Sequence, residues 1–251
     1  MSSIILARRL YGPFLKKAYN YFKRELSEIF SELDLKFVCN LLDDGRLKIK
    51  LEGIDSEFAS NLLKQKYGEC ISVSQLKIGT KFIGNLIDVG KHGFGLYVRP
   101  CYCSEFYKDA LLPLYLIKKQ LSNESLRKLV FRYGFVEFQN IEVEIVDLDY
   151  KLESPDVPYK ISVNFTRRQL DIFNSWVNAN HDRIIISGAL LSDVRRALIK
   201  TDHISDILKM KSPWILEHIL VVKKSSNATG ILSSIGKYLS NVPIGIIRRK
   251  N

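Results

Sequence analysis

Apolar residues in the first third recur at helical spacing, with strand-like runs on either side. Residues 3–10 (Ser-Ile-Ile-Leu-Ala-Arg-Arg-Leu) predict a strand. Gly12-Pro13 turns the chain, and Pro13 suits the first position of a helix. Leu15, Ala18, Tyr19, Phe22, Leu26, Ile29, Phe30 and Leu33 then line one side of a long amphipathic helix. Leu35–Leu42 and Arg46–Glu52 predict a hairpin around Asp43-Asp44-Gly45. Asp55 can cap a second helix with Phe58, Leu62 and Tyr67 on its buried side. Gly68 ends that helix, and Cys70–Val73 predicts a closing strand. The order β-α-β-β-α-β is the ferredoxin-like pattern, here over residues 1–75.

From Leu76 the pattern changes to short strands with glycine turns. Strands are predicted at Thr80–Val89, Gly93–Arg99, Asp109–Tyr115, Ile141–Asp149 and Tyr159–Thr166, with a capped helix over Ser122–Gly134. Five short strands in residues 76–165 suggest a small barrel of the oligonucleotide-binding (OB) class. Thr166 can cap a helix carrying Leu170, Phe173, Trp176 and Val177. The expected order after it is a strand from Arg183, a helix over Leu191–Lys200, strands Ile207–Met210 and Leu216–Val222, a helix from Asn227 or Thr229 to Leu239, and a strand Ile244–Ile247. That is β-α-β-β-α-β again. The expected architecture is therefore α+β and multi-domain: a central five-stranded OB-fold barrel (76–165) between two ferredoxin-like domains (1–75 and 166–251).

Composition fits packed cores, since 46% of the 251 residues are apolar. No run approaches the roughly 18 apolar residues of a membrane span. The opening Met1-Ser-Ser-Ile-Ile-Leu-Ala-Arg-Arg lacks the apolar length of a signal peptide, so an intracellular, cytoplasmic location without membrane contact is expected. Charge is unevenly placed. Residues 166–251 carry 14 basic and 6 acidic side chains, most of the net +11. Such an excess suggests a polyanionic partner, with nucleic acid first.

Candidate chemistry centres on Lys91-His92-Gly93-Phe94-Gly95-Leu96-Tyr97-Val98-Arg99. Exposed rings offer faces for stacking bases, and flanking cations offer charge to phosphates. Gly93 and Gly95 are read as clearing space for a flat ligand. Phe94 and Tyr97 are three apart, so on a simple strand they face opposite ways unless a neighbour bulges. Arg167 and Arg168 stand in the first turn of a helix, where cations oppose the dipole and an anionic ligand would offset them. Lys223, Lys224, Arg248, Arg249 and Lys250 predict a phosphate-contacting patch.

Other constellations carry less. Gly230–Tyr238 has five residues between its glycines and a Tyr after the Lys, so it is not a phosphate loop. Asp147 and Asp149 share a strand face, but two carboxylates alone are a weak metal signal. Cys39, Cys70, Cys101 and Cys103 lack zinc-ligand spacing and read as buried or loop thiols of a reducing compartment. No cofactor, metal or catalytic set is expected.

Residues 76–166 resemble the S-one RNA-binding domain, the barrel repeated in the largest ribosomal small-subunit protein. The matching stretches are Leu76-Lys-Ile-Gly79-Thr-Lys-Phe-Ile-Gly84, Gly93–Val98, Asp109-Ala-Leu-Leu-Pro-Leu-Tyr, Val143–Asp149 and Lys160-Ile-Ser-Val. The resemblance implies stacking by Phe94 and Tyr97, with Asp149 and Lys160 as polar partners. Pro113 stands where that family often has a histidine, and the loop Lys151–Pro158 is longer than usual. The whole chain also resembles an archaeal family, itself uncharacterised, with such a barrel between two small domains. That resemblance carries no activity. The implied function is non-enzymatic binding of single-stranded or irregular RNA on the translation apparatus, with ribosomal RNA or protein as partner. The alternatives are a transcription factor bound to RNA polymerase and nascent RNA, a protein-interaction scaffold, and last a nuclease.

Overall fold

The fold is described from a computed structural model. It covers residues 2–101, 108–151 and 154–249, with the side chains of residues 151 and 154–157 left aside. Cys103 and Lys250 fall outside the described residues.

The first sheet joins β1 (Ser2–Ile5), β2 (Leu35–Leu41) and β3 (Leu47–Gly53) in the order β1-β3-β2, all antiparallel. Helix α1 (Leu15–Ile29) buries Ala18, Phe22 and Leu26, four residues apart and so on one stripe. Helix α2 (Ser56–Tyr67) buries Ala59, Ser60, Leu63 and Tyr67. Of the expected buried face Tyr67 is buried, whereas Leu63 takes the place of Leu62 and Phe58 is exposed. The hairpin turn holds Gly45 at φ +83°, where a Cβ would lie 2.1 Å from the Leu10 carbonyl oxygen. Only glycine fits there. The expected closing strand at Cys70–Val73 does not form, and a single bridge between Leu6 and Glu69 stands in its place.

The middle of the chain closes into a five-stranded mixed barrel. Its strands are β4 (Lys81–Ile87), β5 (Gly95–Pro100), β6 (Ala110–Pro113), β7 (Asn140–Lys151) and β8 (Ser154–Phe165). They run in the order β4-β5-β6-β8-β7 and close back on β4. Among the described residues only β6 and β8 pair in parallel in it. This is an OB-like barrel, as the short-strand pattern implied. Leu86, Leu96, Val98, Leu112, Val143 and Val163 fill its interior.

Between β6 and β7 lie α3 (Leu114–Gln120), which the sequence did not suggest, and α4 (Leu126–Tyr133). Leu114 and Tyr115 belong to α3 and not to the third strand. Gly134 ends α4 in the left-handed conformation. The expected loop Lys151–Pro158 is corrected. β7 and β8 continue beyond the barrel, with Tyr150 opposite Pro158 and Lys151 opposite Ser154.

Helix α5 (Arg167–Val177) packs on the barrel, since Phe173 sits in the barrel core against Tyr133, Phe135 and Phe165. The last sheet contains β9 (Arg183–Ser187), β10 (Ile207–Trp214), β11 (Glu217–Val222) and β12 (Ile244–Ile247), ordered β10-β11-β9-β12 and antiparallel throughout. Helices α6 (Leu191–Lys200) and α7 (Ala228–Gly236) bring Val194, Leu198, Ile231 and Ile235 onto Ile184 and Ile186.

The three parts are sewn together. Trp214 and Leu216, at the hairpin of the last sheet, are buried in the core of the first sheet. The Trp214 Nε1–H donates to the Arg9 carbonyl at 3.0 Å. Arg9 reaches the Pro100 carbonyl of the barrel at 2.8 Å. Cys70 and Cys101, expected as free thiols, form a disulfide between the first sheet's exit and the end of β5. Cys39 remains a free, buried thiol, which burial pushes up to about 11.

Because Trp214 serves two sheets at once, Trp214→Phe should destabilise the whole chain. It leaves the buried Arg9 carbonyl without its donor, at a cost of about 1–3 kcal/mol. Urea unfolding followed by circular dichroism should show one transition moved to lower urea. Loss of the last sheet alone would contradict the coupling.

Candidate nucleic-acid interface

β5 alternates, turning Leu96 and Val98 into the barrel and Tyr97 and Arg99 outward. β5 begins at Gly95, so Phe94 stands in the turn before it and escapes the alternation. No bulge is needed. The Phe94 and Tyr97 rings meet edge to face at 6.1 Å, and His92 lies 5.5 Å from Phe94 and 5.4 Å from Tyr97. Phe94 is 55% exposed. Three rings thus share one open corner of the barrel.

The two glycines differ from expectation. A Cβ on Gly95 would lie 2.5 Å from the Leu112 carbonyl oxygen, so Gly95 serves barrel closure. Gly93 has open space around it, in keeping with a clear approach to the rings.

The cations of this face are not free. Lys91 pairs with Asp88 at 2.5 Å. Arg99 binds Asp109 with two nitrogens, at 3.0 and 3.3 Å. Lys160 lies 3.1 Å from Asp149 and 3.9 Å from Asp147. These pairs hold the Lys91, Arg99 and Lys160 groups above their ordinary values. Asp147 and Asp149 therefore converge on a lysine, and among the described residues no group of three or more His, Cys, Asp or Glu side chains could hold a metal.

The basic residues after Thr166 form two separate places. At α5 the Thr166 hydroxyl accepts from the Gln169 amide at 3.2 Å and donates to Glu142 at 2.7 Å. Glu142 supplies the anion that two cations in a first turn call for, with Arg168 3.8 Å away. Arg167 is exposed beside it.

The second place is the N-terminus of α7. There Arg249 donates to the Lys224 carbonyl at 2.9 Å, and Arg248 donates to the Thr229 hydroxyl at 2.9 Å. Asn227 caps the helix, accepting from the Thr229 amide. Lys223 adjoins this group in sequence, and Lys250 lies outside the described residues. No carboxylate pairs with Lys223, Lys224, Arg248 or Arg249 within salt-bridge distance among the described residues.

One polar centre had no sequence signal, because its members are far apart in the chain. Glu217 Oε1 accepts from the Asn140 side chain at 2.8 Å, from the Asn140 amide, and from the Tyr11 hydroxyl at 3.5 Å. Burial pushes the Glu217 carboxyl up to about 7 and the neighbouring His218 down to about 4. His218 Nε2 meets the Ala189 carbonyl at 2.9 Å, and Nδ1 meets Ser212 Oγ at 2.8 Å.

Fold and site together define an α+β protein whose OB-like barrel carries an open ring cluster beside a separate cationic helix end. Residues 3–72 match the DUF2110 N-terminal domain, and residues 181–247 match the DUF2110 C-terminal domain. The two ends of the chain are thus similar to the two ends of one family, and the barrel with α5 lies between the matches. No curated protein matches the chain. No helix among the described residues is long and apolar enough to cross a membrane.

The adjacent Glu217 and His218 should oppose each other in stability against pH. Glu217 holds its proton more tightly folded than unfolded, so its contribution declines as pH rises from 4.5 through about 7. His218 holds its proton less tightly when folded, so its contribution is full above 6.5 and lost as pH falls through about 4. Each is worth about 3 kcal/mol, and over the shared window they largely cancel. Glu217→Gln should expose the histidine's slope, so that stability rises with pH across that window. Urea midpoints measured at several pH values would show it. An unchanged pH profile would contradict the assignment.

Proposed function

We propose that the protein is a non-enzymatic RNA-binding protein in which the two tasks are divided. The barrel corner of His92, Phe94 and Tyr97 stacks unpaired bases. The α7 end, with Lys223, Lys224, Arg248 and Arg249, holds backbone phosphates. The observation that carries this reading is the open three-ring cluster, since large aromatic side chains in a soluble fold are usually buried.

We also infer that the barrel is of the S-one type. Both flanking parts read as ferredoxin-like, the last through its β-α-β-β-α-β order with strands β10-β11-β9-β12, the first with its fourth strand reduced to one bridge. On this reading the RNA is single-stranded or irregular, and the ribosome is the particle to test first, in the cytoplasm.

The ion pairs at the barrel face change what the rings can do. With Lys91, Arg99 and Lys160 held by four aspartates, the face adds little attraction for phosphate. The same neutrality favours a second reading, in which the rings bind a protein of the ribosome or of RNA polymerase. Sedimentation with ribosomal subunits and release by ribonuclease would favour RNA. Ribonuclease-insensitive co-purification with a protein would favour the second reading.

Replacing both rings, Phe94→Ala with Tyr97→Ala, should weaken binding of an unstructured oligoribonucleotide by about 2–6 kcal/mol if each ring stacks a base. Fluorescence anisotropy on the folded variant measures it, and unchanged affinity would remove the stacking assignment.

Salt dependence should separate the two surfaces. Lys224→Ala with Arg248→Ala should lower the slope of log affinity against log salt by about 1.4, at roughly 0.7 per phosphate contact. Lys91→Ala should leave the slope unchanged, because its charge already faces Asp88. Equal effects from both variants would contradict the division.

A further inference from the structure

The last sheet ends in β10 on one side and β12 on the other. The β10 edge is protected against a further strand. It exposes Lys209 and Lys211, and its pairing with β11 shifts register twice. The β12 edge has neither device. Ile244-Gly-Ile-Ile247 carries no charge and pairs with β9 in regular register throughout. The Pro243 carbonyl accepts from the Ser187 amide of β9 at 3.0 Å. Residues of an antiparallel strand alternate in the direction of their backbone groups, so Gly245 and Ile247 also turn to β9. Ile244 and Ile246 then aim their amides and carbonyls at the free edge, where they make no hydrogen bond with the described residues.

That edge lines a groove of about 860 Å³. Leu232 of α7 forms one wall, and Val130 and Phe131 of α4 form the other. Gly245 lets α4 come this close, since a Cβ there would lie 2.8 Å from the Gly134 carbonyl oxygen. Phe131 is 63% exposed. The rim is cationic. Arg127 and Lys128 are exposed, and no carboxylate lies within salt-bridge distance of either among the described residues. Glu124 also lines the groove, but Arg132 binds it at 2.5 Å. Arg132, with Ser122 and Lys128 behind it, holds the Glu124 carboxyl below its ordinary range.

Unpaired strand-edge groups suit a peptide backbone, and the apolar walls suit alternate side chains of an extended chain. Nucleic acid would leave the edge groups unused. A second copy fits poorly, because pairing β12 with itself across a two-fold axis sets the cations of one rim against those of the other. We propose that this groove takes an extended acidic segment of another protein as a fifth strand beside β12, with its apolar side chains between α4 and α7 and its carboxylates on Arg127 and Lys128. The site lies apart from the barrel rings and does not rest on the RNA-binding reading.

Three fluorescein-labelled decapeptides added to the full chain test it. One alternates valine with glutamate, one alternates valine with lysine, and the third is the first with all its backbone amides N-methylated. Anisotropy reads affinity, and residue-resolved amide exchange by NMR reads the edge. The valine–glutamate peptide should bind and slow exchange at Ile244 and Ile246. The other two should bind at least about tenfold more weakly. Arg127→Glu with Lys128→Glu should weaken binding about tenfold or more, and Phe131→Ala about tenfold, with circular dichroism confirming that both variants fold. The variant with Phe94→Ala and Tyr97→Ala should bind the peptide as the parent does, whatever becomes of its RNA affinity.

No binding of the valine–glutamate peptide would overturn the proposal, as would equal binding of either other peptide or full binding by Arg127→Glu with Lys128→Glu. Protection of Ile244 and Ile246 that rises with the concentration of the chain alone would give the edge to a second copy instead. Protection of the same amides by an oligouridylate would give the groove to RNA.

Discussion

The arrangement depends on one buried polar contact. Glu217, on the last sheet, accepts from Asn140 of the barrel and lies beside Tyr11 of the first part, whose hydroxyl is 2.8 Å from Ser187. A carboxylate taken out of water is expensive unless hydrogen bonds compensate it. Here three parts of the chain must dock together to supply them. Burial also pushes the Tyr11 hydroxyl well above its ordinary value, so it stays a neutral donor. Around this centre Trp214 joins the first core, and Arg9 reaches the barrel at Pro100. The parts therefore behave as one body with shared walls, and the groove along β12 lies between two of them, the barrel's α4 and the last sheet's α7.

Charge is arranged with similar economy. The barrel face has rings in the open and cations already matched to aspartates. At the α7 end Asp182 accepts from the Arg249 amide at 2.9 Å, and Ser226, His203 and, last, Lys223 lower the Asp206 carboxyl, but no side-chain ion pair holds the cations among the described residues. A polymer that offers both flat bases and phosphates finds the two features in different places. On the proposed reading, affinity for phosphate would belong to the α7 end and vary with salt, while recognition at the rings would be short-ranged and insensitive to it. The pairing of Lys91, Arg99 and Lys160 could not be read from the chain, because acids and bases there are nearly equal in number and only geometry decides who meets whom.

Much of the fold was legible. The barrel announced itself through short strands of alternating residues, and its interior positions Leu96 and Val98 follow from that alternation. Helix α1 followed from residues spaced four apart. The failures have physical reasons. Phe58 and Leu62 were placed with Tyr67 on the buried side of α2, but of the three only Tyr67 is buried, with Ala59, Ser60 and Leu63 in place of the other two. Cys70 and Cys101 looked unrelated because a disulfide depends on distance in space. The segment 151–158 read as a loop because Pro155 and Pro158 interrupt it, yet proline is tolerated at bulged or edge positions, and β7 and β8 continue through irregular pairing. The α5 helix read as the start of the last domain, but Phe173 finds its partners in the barrel.

Local periodicity and turn chemistry were enough to determine that the chain is α+β with a small barrel in its middle, and that its excess positive charge sits near its end. Those properties depend on neighbours in sequence. The convergence of His92, Phe94 and Tyr97, the neutralised barrel face, the Glu217 centre and the groove along β12 were decided only by tertiary structure. The Glu217 centre and the groove join residues tens to hundreds of positions apart, the hydrogen-bonded barrel-face pairs join residues 3 to 11 apart, and the ring cluster turns on where a strand begins. Exposed pairs such as Lys91 with Asp88 shift proton affinity by direct contact, whereas the large shifts at Glu217 and His218 arise because packing has removed the water around them.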